Sequence, residues 1–199
     1  YLKTDDPSEG VIQGNDGDDT LIGNNDKNKF YGGSGNDYIS GGNGNNIIYG
    51  ESENDIIISG SGEDYIEGGS GDDQITGGGG NDVIYGSFYG DSYNSIDTLT
   101  GGSGSDYFVL GDSSGLFYTN SLLDDFANIT DFDFLEDKLR LKGSTSYLTS
   151  ITSSNNISGL GIFKDNNSSG NVDSNDDLIA IISNKKDYLS FSSINTDLV

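Results

Sequence analysis

A chain of 199 residues with 33 acidic and 9 basic side chains carries a net charge of −24, and only 32% of it is hydrophobic, well below the ~45–50% of an ordinary globular domain. Having no cysteine and no histidine, it is excluded from disulfides, thiol catalysis, the H-E-x-x-H zinc site and the usual Ser-His-Asp triad. The acidic balance excludes the clustered Lys and Arg that nucleic acid requires, and no apolar run approaches the ~18 residues of a membrane-spanning helix.

A chain that buries so little and repels itself so strongly is either disordered or held by cations. The regular placement of its acids favours cations. No leader with an apolar core and a small-residue cleavage site opens the sequence. Tyr1 is not an initiator methionine, so the chain is expected to be part of a longer protein whose upstream region could hold an activity of its own.

In chain order, Asp6-Pro7 reads as a turn ahead of the first repeat, and Ile12 already fits the register, so a degenerate cap is expected from near Asp5. A nine-residue period sets in at Gly14. Its cleanest copies are GGSGNDYIS from Gly32, GGSGDDQIT from Gly68, GGGGNDVIY from Gly77 and GGSGSDYFV from Gly101, with further rows at Gly14, Gly23, Gly41, Gly50, Ser59 and Gly86. The eighth position is apolar throughout: Leu21, Phe30, Ile39, Ile48, Ile57, Ile66, Ile75, Ile84, Leu99 and Phe108. Neighbours such as Thr20, Lys29, Gln74 and Thr76 are polar, which predicts a three-residue strand with one inward side chain.

Six residues of glycine-rich turn then reverse the chain. Two turns and two strands make one lap, so alternate turns stack on the same edge, and the predicted fold is an all-β parallel solenoid. Stacked coils lie ~4.8 Å apart, and carboxylates held that close repel unless a cation lies between them. Calcium suits the site, being a hard ion that takes six to eight oxygens, including backbone carbonyls; magnesium keeps its waters, and zinc prefers nitrogen or sulfur.

Some rows depart from the pattern. The row at Gly23, GNNDKNKFY, has Asp26 in a glycine position and Asn28 in the aspartate position, so its site is expected to be weak or empty. Asn46 replaces the aspartate of the row at Gly41. The row at Gly50 keeps Asp55 but places Glu51 and Glu53 where glycine belongs, and Glu adopts left-handed backbone angles poorly. Between Gly86 and Thr100 the row is six residues too long, with SFYGDSYNS predicted to bulge as a loop near 87–95.

These rows match G-G-x-G-x-D-x-U-x, and over roughly half its length the chain resembles the RTX (repeat-in-toxin) calcium-binding β-roll proteins. The resemblance implies one ion between stacked turns. The ion takes the carbonyls of positions two and four and the aspartate of one turn, then the carbonyls of positions one and three and the aspartate of the next. Carried over, Asn15, Gly17 and Asp19 would face Gly32, Ser34 and Asp37. Gly33 and Gly35 would face Gly50, Ser52 and Asp55, and the next rung would be Gly68, Ser70 and Asp73. On the other edge Gly60, Gly62 and Asp64 would face Gly77, Gly79 and Asp82. Gly78 and Gly80, with Asp82, would face Gly101, Ser103 and Asp106. The departures make the expected count about five to eight ions.

The glycine period ends at Val109. The expected organisation is a calcium-binding roll over 5–110 and a β-rich C-terminal cap over 111–199. ITDFDFLEDKLRL (Ile129 to Leu141) resembles the segment that follows the roll in RTX proteins. There Asp131 and Asp133 would complete the last calcium turn while Phe132, Phe134, Leu139 and Leu141 pack; a surface loop feeding a strand is the alternative. DNNSSGNVDSND (Asp165 to Asp176) fits an EF-hand-type loop, with Asp165, Asn167, Ser169, Asn171 and Asp176 at ligand positions and Gly170 at the turn. Its flanks GLGIF and LIAII read as strands, so the same stretch also reads as a polar hairpin loop. The end, SFSSINTDLV, resembles the uncleaved export signals of type I secreted RTX proteins, and equally reads as a last strand.

The function favoured by these readings is a calcium-binding module that folds on extracellular calcium. It would serve as the C-terminal scaffold and type I secretion region of a larger secreted or cell-surface protein. Its partners would be calcium and the type I secretion machinery. Two other classes compete. One is a polysaccharide- or surface-binding module, for which Tyr31, Tyr49, Tyr85 and Tyr89 offer a sugar-facing strip, although Tyr on strands is commonly β propensity alone. The other is the non-catalytic tail of a secreted hydrolase or epimerase, since the chain itself lacks nucleophile–base pairs. No threonine array of the ice-binding kind fills the seventh or ninth positions.

Overall fold

The computed structural model describes residues 2–3, 10–88, 95–111, 116–118, 125–141, 147–154, 157–164, 168, 171, 177–183 and 196–198. Among them there is no helix. The chain winds into two sheets, each taking alternate strands. One runs in the order β1 (Leu2–Lys3), β3 (Thr20–Ile22), β5 (Tyr38–Gly42), β7 (Ile56–Ser61), β9 (Gln74–Gly79), β11 (Ile96–Ser103), β13 (Phe126–Ile129), β17 (Asp177–Ile182), β16 (Ile157–Lys164) and β15 (Tyr147–Ser154). The other runs β18 (Thr196–Leu198), β14 (Lys138–Leu141), β12 (Tyr107–Val109), β10 (Val83–Tyr85), β8 (Tyr65–Ser70), β6 (Ile47–Ser52), β4 (Asn28–Ser34) and β2 (Gly10–Asp16).

The nine-residue period sets the register. Ile57 pairs with Ile39 on one side and Ile75 on the other, and Ile66 pairs with Ile48 and Ile84, all in parallel. Each strand from β2 to β11 contributes one inward, fully packed apolar side chain, and the rows run on into β12, β13 and β14 as two facing rails. One is Leu21, Ile39, Ile57, Ile75, Leu99 and Ile129; the other is Ile12, Phe30, Ile48, Ile66, Ile84, Phe108 and Leu139. All of them are buried. β-branched Ile suits this place because it packs well against its own copies on a pleated surface. In the over-long row Leu99 pairs with Ile75, so that six residues more than in a regular lap separate the two strands.

Parallel winding outlasts the glycine period. β13 pairs with β11, β14 with β12, β17 with β13 and β18 with β14, so the region after Val109 is built of strands that extend both sheets. Only then does the pairing turn antiparallel, through β17, β16 and β15. β13 and β17 are buried on both faces, with Phe126, Phe163, Leu178 and Ile181 forming a second apolar cluster.

The single-file core makes the inward position decisive. Ile66→Ala should lower the unfolding free energy in urea by about 2–5 kcal/mol. Ile56→Ala, at a side chain 42% exposed on the outer face, should stay within about 0.5 kcal/mol of the parent.

Candidate metal centre

The turns carry two hydrogen-bonded ladders. At the sixth position, the carboxylate Oδ1 of each aspartate accepts the backbone N–H of its counterpart one lap earlier. On one edge Asp19 N–H donates to Asp37 (2.8 Å), Asp37 to Asp55 (2.8 Å), Asp55 to Asp73 (2.9 Å) and Asp73 to Asp97 (3.0 Å). On the other Asn28 donates to Asn46 (3.0 Å), Asn46 to Asp64 (2.6 Å), Asp64 to Asp82 (2.9 Å), Asp82 to Asp106 (2.8 Å) and Asp106 to Asp137 (2.9 Å).

A second ladder at the fifth position runs the opposite way: Asn36 N–H donates to Asp18 Oδ1, Asn54 to Asn36, Asp72 to Asn54 and Ile96 to Asp72. The sequence reading left that position unassigned. The frequent Asn or Asp there (Asp18, Asn36, Asn45, Asn54, Asp72, Asn81) was its signal.

The first ladder uses only one oxygen of each carboxylate. The other, Oδ2, is buried and has no hydrogen-bond partner in Asp37, Asp55, Asp64, Asp73, Asp82 and Asp106. A buried anionic oxygen left unpaired is costly. In Asp37, Asp55, Asp73 and Asp82 it lies beside a carbonyl of the next turn. A Cβ placed on Gly77 would meet Asp82 Oδ2 and, at 2.7 Å, the Gly101 carbonyl; one on Gly68 would meet Asp73 Oδ2 and, at 2.6 Å, the Gly86 carbonyl. Two oxygens thus converge where glycine leaves room, with no proton donor between them.

Burial pushes these carboxyls up: Asp55 and Asp82 to about 7 and Asp106 to about 6, with neighbouring carboxylates adding to the rise and the ladder N–H opposing it. Asp37, Asp64 and Asp137 move the same way for the same first cause. Asp73 and Asp97, packed together, are raised as a pair.

Among the described residues no three acidic side chains converge. A site here therefore draws at most two carboxylates and takes its remaining oxygens from the backbone, a donor set that fits calcium better than zinc or magnesium.

Positions two and four are left-handed at Asn15 (φ 74°), Gly17 (102°), Gly33 (117°) and Gly35 (123°), and at Gly60, Gly62, Gly78 and Gly80. Glu51 (82°) and Glu53 (76°) take the same conformation despite a cost of about 1–2 kcal/mol each, so the Asp55 row keeps its turn. The row at Gly23 does not: neither Asn24 nor Asp26 has positive φ, and Asn28 Oδ1 instead accepts the Asn24 N–H at 3.0 Å.

The first, third and sixth positions named earlier (Gly32, Ser34, Gly50, Ser52, Ser70, Gly79 and Ser103 with their aspartates) lie in register on their two edges. Asp131 and Asp133 are placed differently from expectation. Both carboxylate oxygens of Asp131 accept backbone N–H groups, of Gly101 (2.9 Å) and Gly102 (2.8 Å), and Asp133 Oδ1 accepts that of Leu135 (2.8 Å). The rung that follows Asp106 is Asp137.

Asp97 and Asp137 were both missed because the glycines before them are lost. The surviving signal is an aspartate two residues ahead of the inward side chain: Asp97-Thr98-Leu99 and Asp137-Lys138-Leu139 repeat the spacing of Asp37-Tyr38-Ile39. At Asp97 the second oxygen is engaged by the buried Tyr118 hydroxyl, at 2.5 Å.

Of the EF-like positions, Asp165, Asn167, Ser169 and Asp176 lie outside the described residues; Asn171 lies within them. The flanking strands β16 and β17 pair antiparallel and are joined by an ion pair, Lys164 to Asp177 at 3.8 Å. Tyr31, Tyr49, Tyr65, Tyr85 and Phe117 form a continuous ring ladder with centroids 5.2–6.0 Å apart. Tyr89 lies outside the described residues.

The nonapeptide repeat has a counterpart among known proteins. The family model of the RTX calcium-binding nonapeptide repeat matches in four copies, at residues 10–39, 31–66, 58–88 and 90–114, more than half of the chain. The chain belongs to the RTX calcium-binding repeat family. No curated protein matches the sequence. One solved structure to which this RTX chain is similar is the solution structure of the AlgE6R3 subunit from the Azotobacter vinelandii mannuronan C5-epimerase. The two are 21% identical, the match covering 76% of this chain and 63% of that one, with a TM-score of 0.29.

The raised carboxyls give the metal-free RTX roll a definite pH dependence. Groups near 4 in the unfolded chain titrate at about 6 to 7 in the fold. Their contribution is therefore fully present below about pH 4 and is lost as pH rises through 6 to 7. In metal-stripped buffer, circular dichroism should show more β structure at pH 5 than at pH 8. In saturating calcium the order should reverse, because protons then compete with the ion; a metal-free chain more ordered at pH 8 would contradict this.

Proposed function

We propose that this chain is a calcium-triggered folding module: the non-catalytic, C-terminal part of a larger secreted or cell-surface protein, passed through type I secretion. The observation that carries the reading is the set of six buried carboxylate oxygens without partners, four of them (in Asp37, Asp55, Asp73 and Asp82) beside a backbone carbonyl of the next turn. A chain of net charge −24 that must bury such oxygens has little reason to fold alone.

Calcium would supply the positive charge these oxygens lack, and its binding free energy would be folding free energy. Each ion at a hundredfold its dissociation constant adds about 2.7 kcal/mol. An interior aspartate such as Asp82 belongs to the gaps on both sides of its turn, so filling one gap orders a ligand of the next and binding is cooperative along an edge. Low cytosolic calcium would leave the chain unfolded and exportable, and extracellular calcium would fold it outside. The ligand set proposed is the one carried over by register, with Asp97 and Asp137 as the rungs beyond it.

A second reading, polysaccharide binding, draws on the tyrosine ladder and an open groove of about 570 Å³ whose lining includes Tyr49, Glu51, Glu67 and Phe88. Tyr31 and Tyr49 are stacked within 12° of parallel, and Lys29 lies over both rings. Their faces are thus largely occupied by one another. The acidic groove would in addition repel a uronate chain, which leaves neutral or basic glycans as the candidates. A glycan array tests this reading.

The leading reading is tested by titrating calcium into chelated protein under far-UV circular dichroism, with magnesium as control. A sharp, calcium-selective gain of β signal is expected. A fold complete in chelator, or one that magnesium completes equally well, would overturn the proposal.

A further inference from the structure

The turns fall into two classes, and the class follows the sixth residue of the row rather than the fourth. Seven rows of regular length carry aspartate at the ladder position: Asp19, Asp37, Asp55, Asp64, Asp73, Asp82 and Asp106. In all seven the fourth residue is left-handed: Gly17, Gly35, Glu53, Gly62, Gly71, Gly80 and Gly104. Two rows carry asparagine, Asn28 and Asn46, and their fourth residues, Asp26 and Gly44, do not have positive φ. Glu53 adopts the conformation although its side chain opposes it, while Gly44, which could adopt it freely, does not. Local backbone preference therefore does not set the turn.

The hydrogen bonds supply the cause. Asn46 Oδ1 accepts the Asn28 N–H, which fills the ladder place that an aspartate Oδ1 fills elsewhere and fixes which way the amide faces. Its Nδ2 then stands where the aspartates present Oδ2. It donates to the Gly44 carbonyl of its own turn at 2.7 Å and reaches the Ser59 carbonyl, first residue of the next turn, at 3.4 Å.

A Cβ on Gly41 would meet that Ser59 oxygen at 2.5 Å and the Asn46 nitrogen at 2.8 Å. This is the same cradle as in the aspartate rows, with a donor in place of the anion. Turning Gly44 out of the left-handed region is what brings its carbonyl onto the amide. At Asn28 the amide faces the other way: Oδ1 accepts the Asn24 N–H and lies with the Gly41 carbonyl in the Gly23 cradle, while Nδ2 is the buried atom without a partner. A cation satisfies an orphan oxygen; it cannot satisfy an orphan N–H.

We propose that Asn46 is a built-in replacement for a cation, so that its rung closes without metal while the aspartate rungs require it. The inference rests on the calcium reading above. It makes the edges unequal: the edge of Asp19, Asp37, Asp55 and Asp73 takes ions from its first gap, and the opposite edge takes them only from the Asp64–Asp82 gap onward. It also means that Asn46→Asp completes a site, because Asp64 and the carbonyls of both turns are already in register.

Native mass spectrometry of the full chain in calcium counts the ions directly. The Asn46→Asp variant is expected to hold one ion more than the parent and to need more calcium to reach half-maximal β signal. An equal count in a folded variant overturns this inference alone; a parent that binds no calcium overturns the calcium reading with it. Should the variant fail to fold, an anomalous-difference map of calcium-loaded parent crystals decides. Peaks between aspartate rungs with none beside Asn46 support the proposal, and a peak beside Asn46 refutes it.

Discussion

The structure depends on one constraint: each lap buries a carboxylate whose two oxygens have different fates. One oxygen is taken by the backbone N–H of the preceding lap, which locks successive turns in register. The other is buried without a hydrogen-bond partner in six of these aspartates, and in Asp37, Asp55, Asp73 and Asp82 it lies beside a carbonyl of the next turn; at Asp97 the Tyr118 hydroxyl takes it. A strand stack repeats this arrangement every ~4.8 Å, so buried carboxyls accumulate along an edge, each raising the proton affinity of the next. The calcium reading resolves this conflict, and the raised proton affinities of Asp55, Asp82 and Asp106 are its signature in the metal-free fold.

The remaining features follow from serving that edge. Glycine at the first position leaves the space in which Asp Oδ2 and the next carbonyl meet. The left-handed residues at positions two and four aim backbone oxygens along the edge, and the demand is strong enough to hold Glu51 and Glu53 in a conformation they disfavour. The fifth-position ladder, running opposite to the first, closes the outer rim of each turn with bonds such as that from Asn36 to Asp18. The core needs only one apolar side chain per strand because lateral order comes from the edges.

Most of this architecture was legible because the period is short and each position has a single physical task. The rails of Leu21, Ile39 and Ile57 and of Phe30, Ile48 and Ile66 could be read directly, as could the stacking of alternate turns. Asp97 and Asp137 escaped because the glycines were treated as the marker, whereas the element that survives into irregular turns is the aspartate two places before the inward residue. Asp131 looked like a ligand from its place after Ile129, yet its carboxylate is consumed by the amides of Gly101 and Gly102, a long-range choice that no local pattern encodes. Tyr118 could not have been foreseen as the partner of Asp97, since the two residues meet only through the winding of the last regular lap. The two asparagine rungs were visible as departures, but that one of them would donate into the cradle required knowing which way its amide faces.

The central claim is that the carboxylate ladders are closed by bound cations and open without them. Backbone hydrogen exchange at the ladder amides tests it most directly, because the N–H groups of Asp37, Asp55, Asp64 and Asp82 are donors of the bonds at issue. The account predicts strong protection of all four in calcium and exchange at unfolded-chain rates in chelator. Equal protection in both conditions would contradict it and leave a roll that stands without its ions.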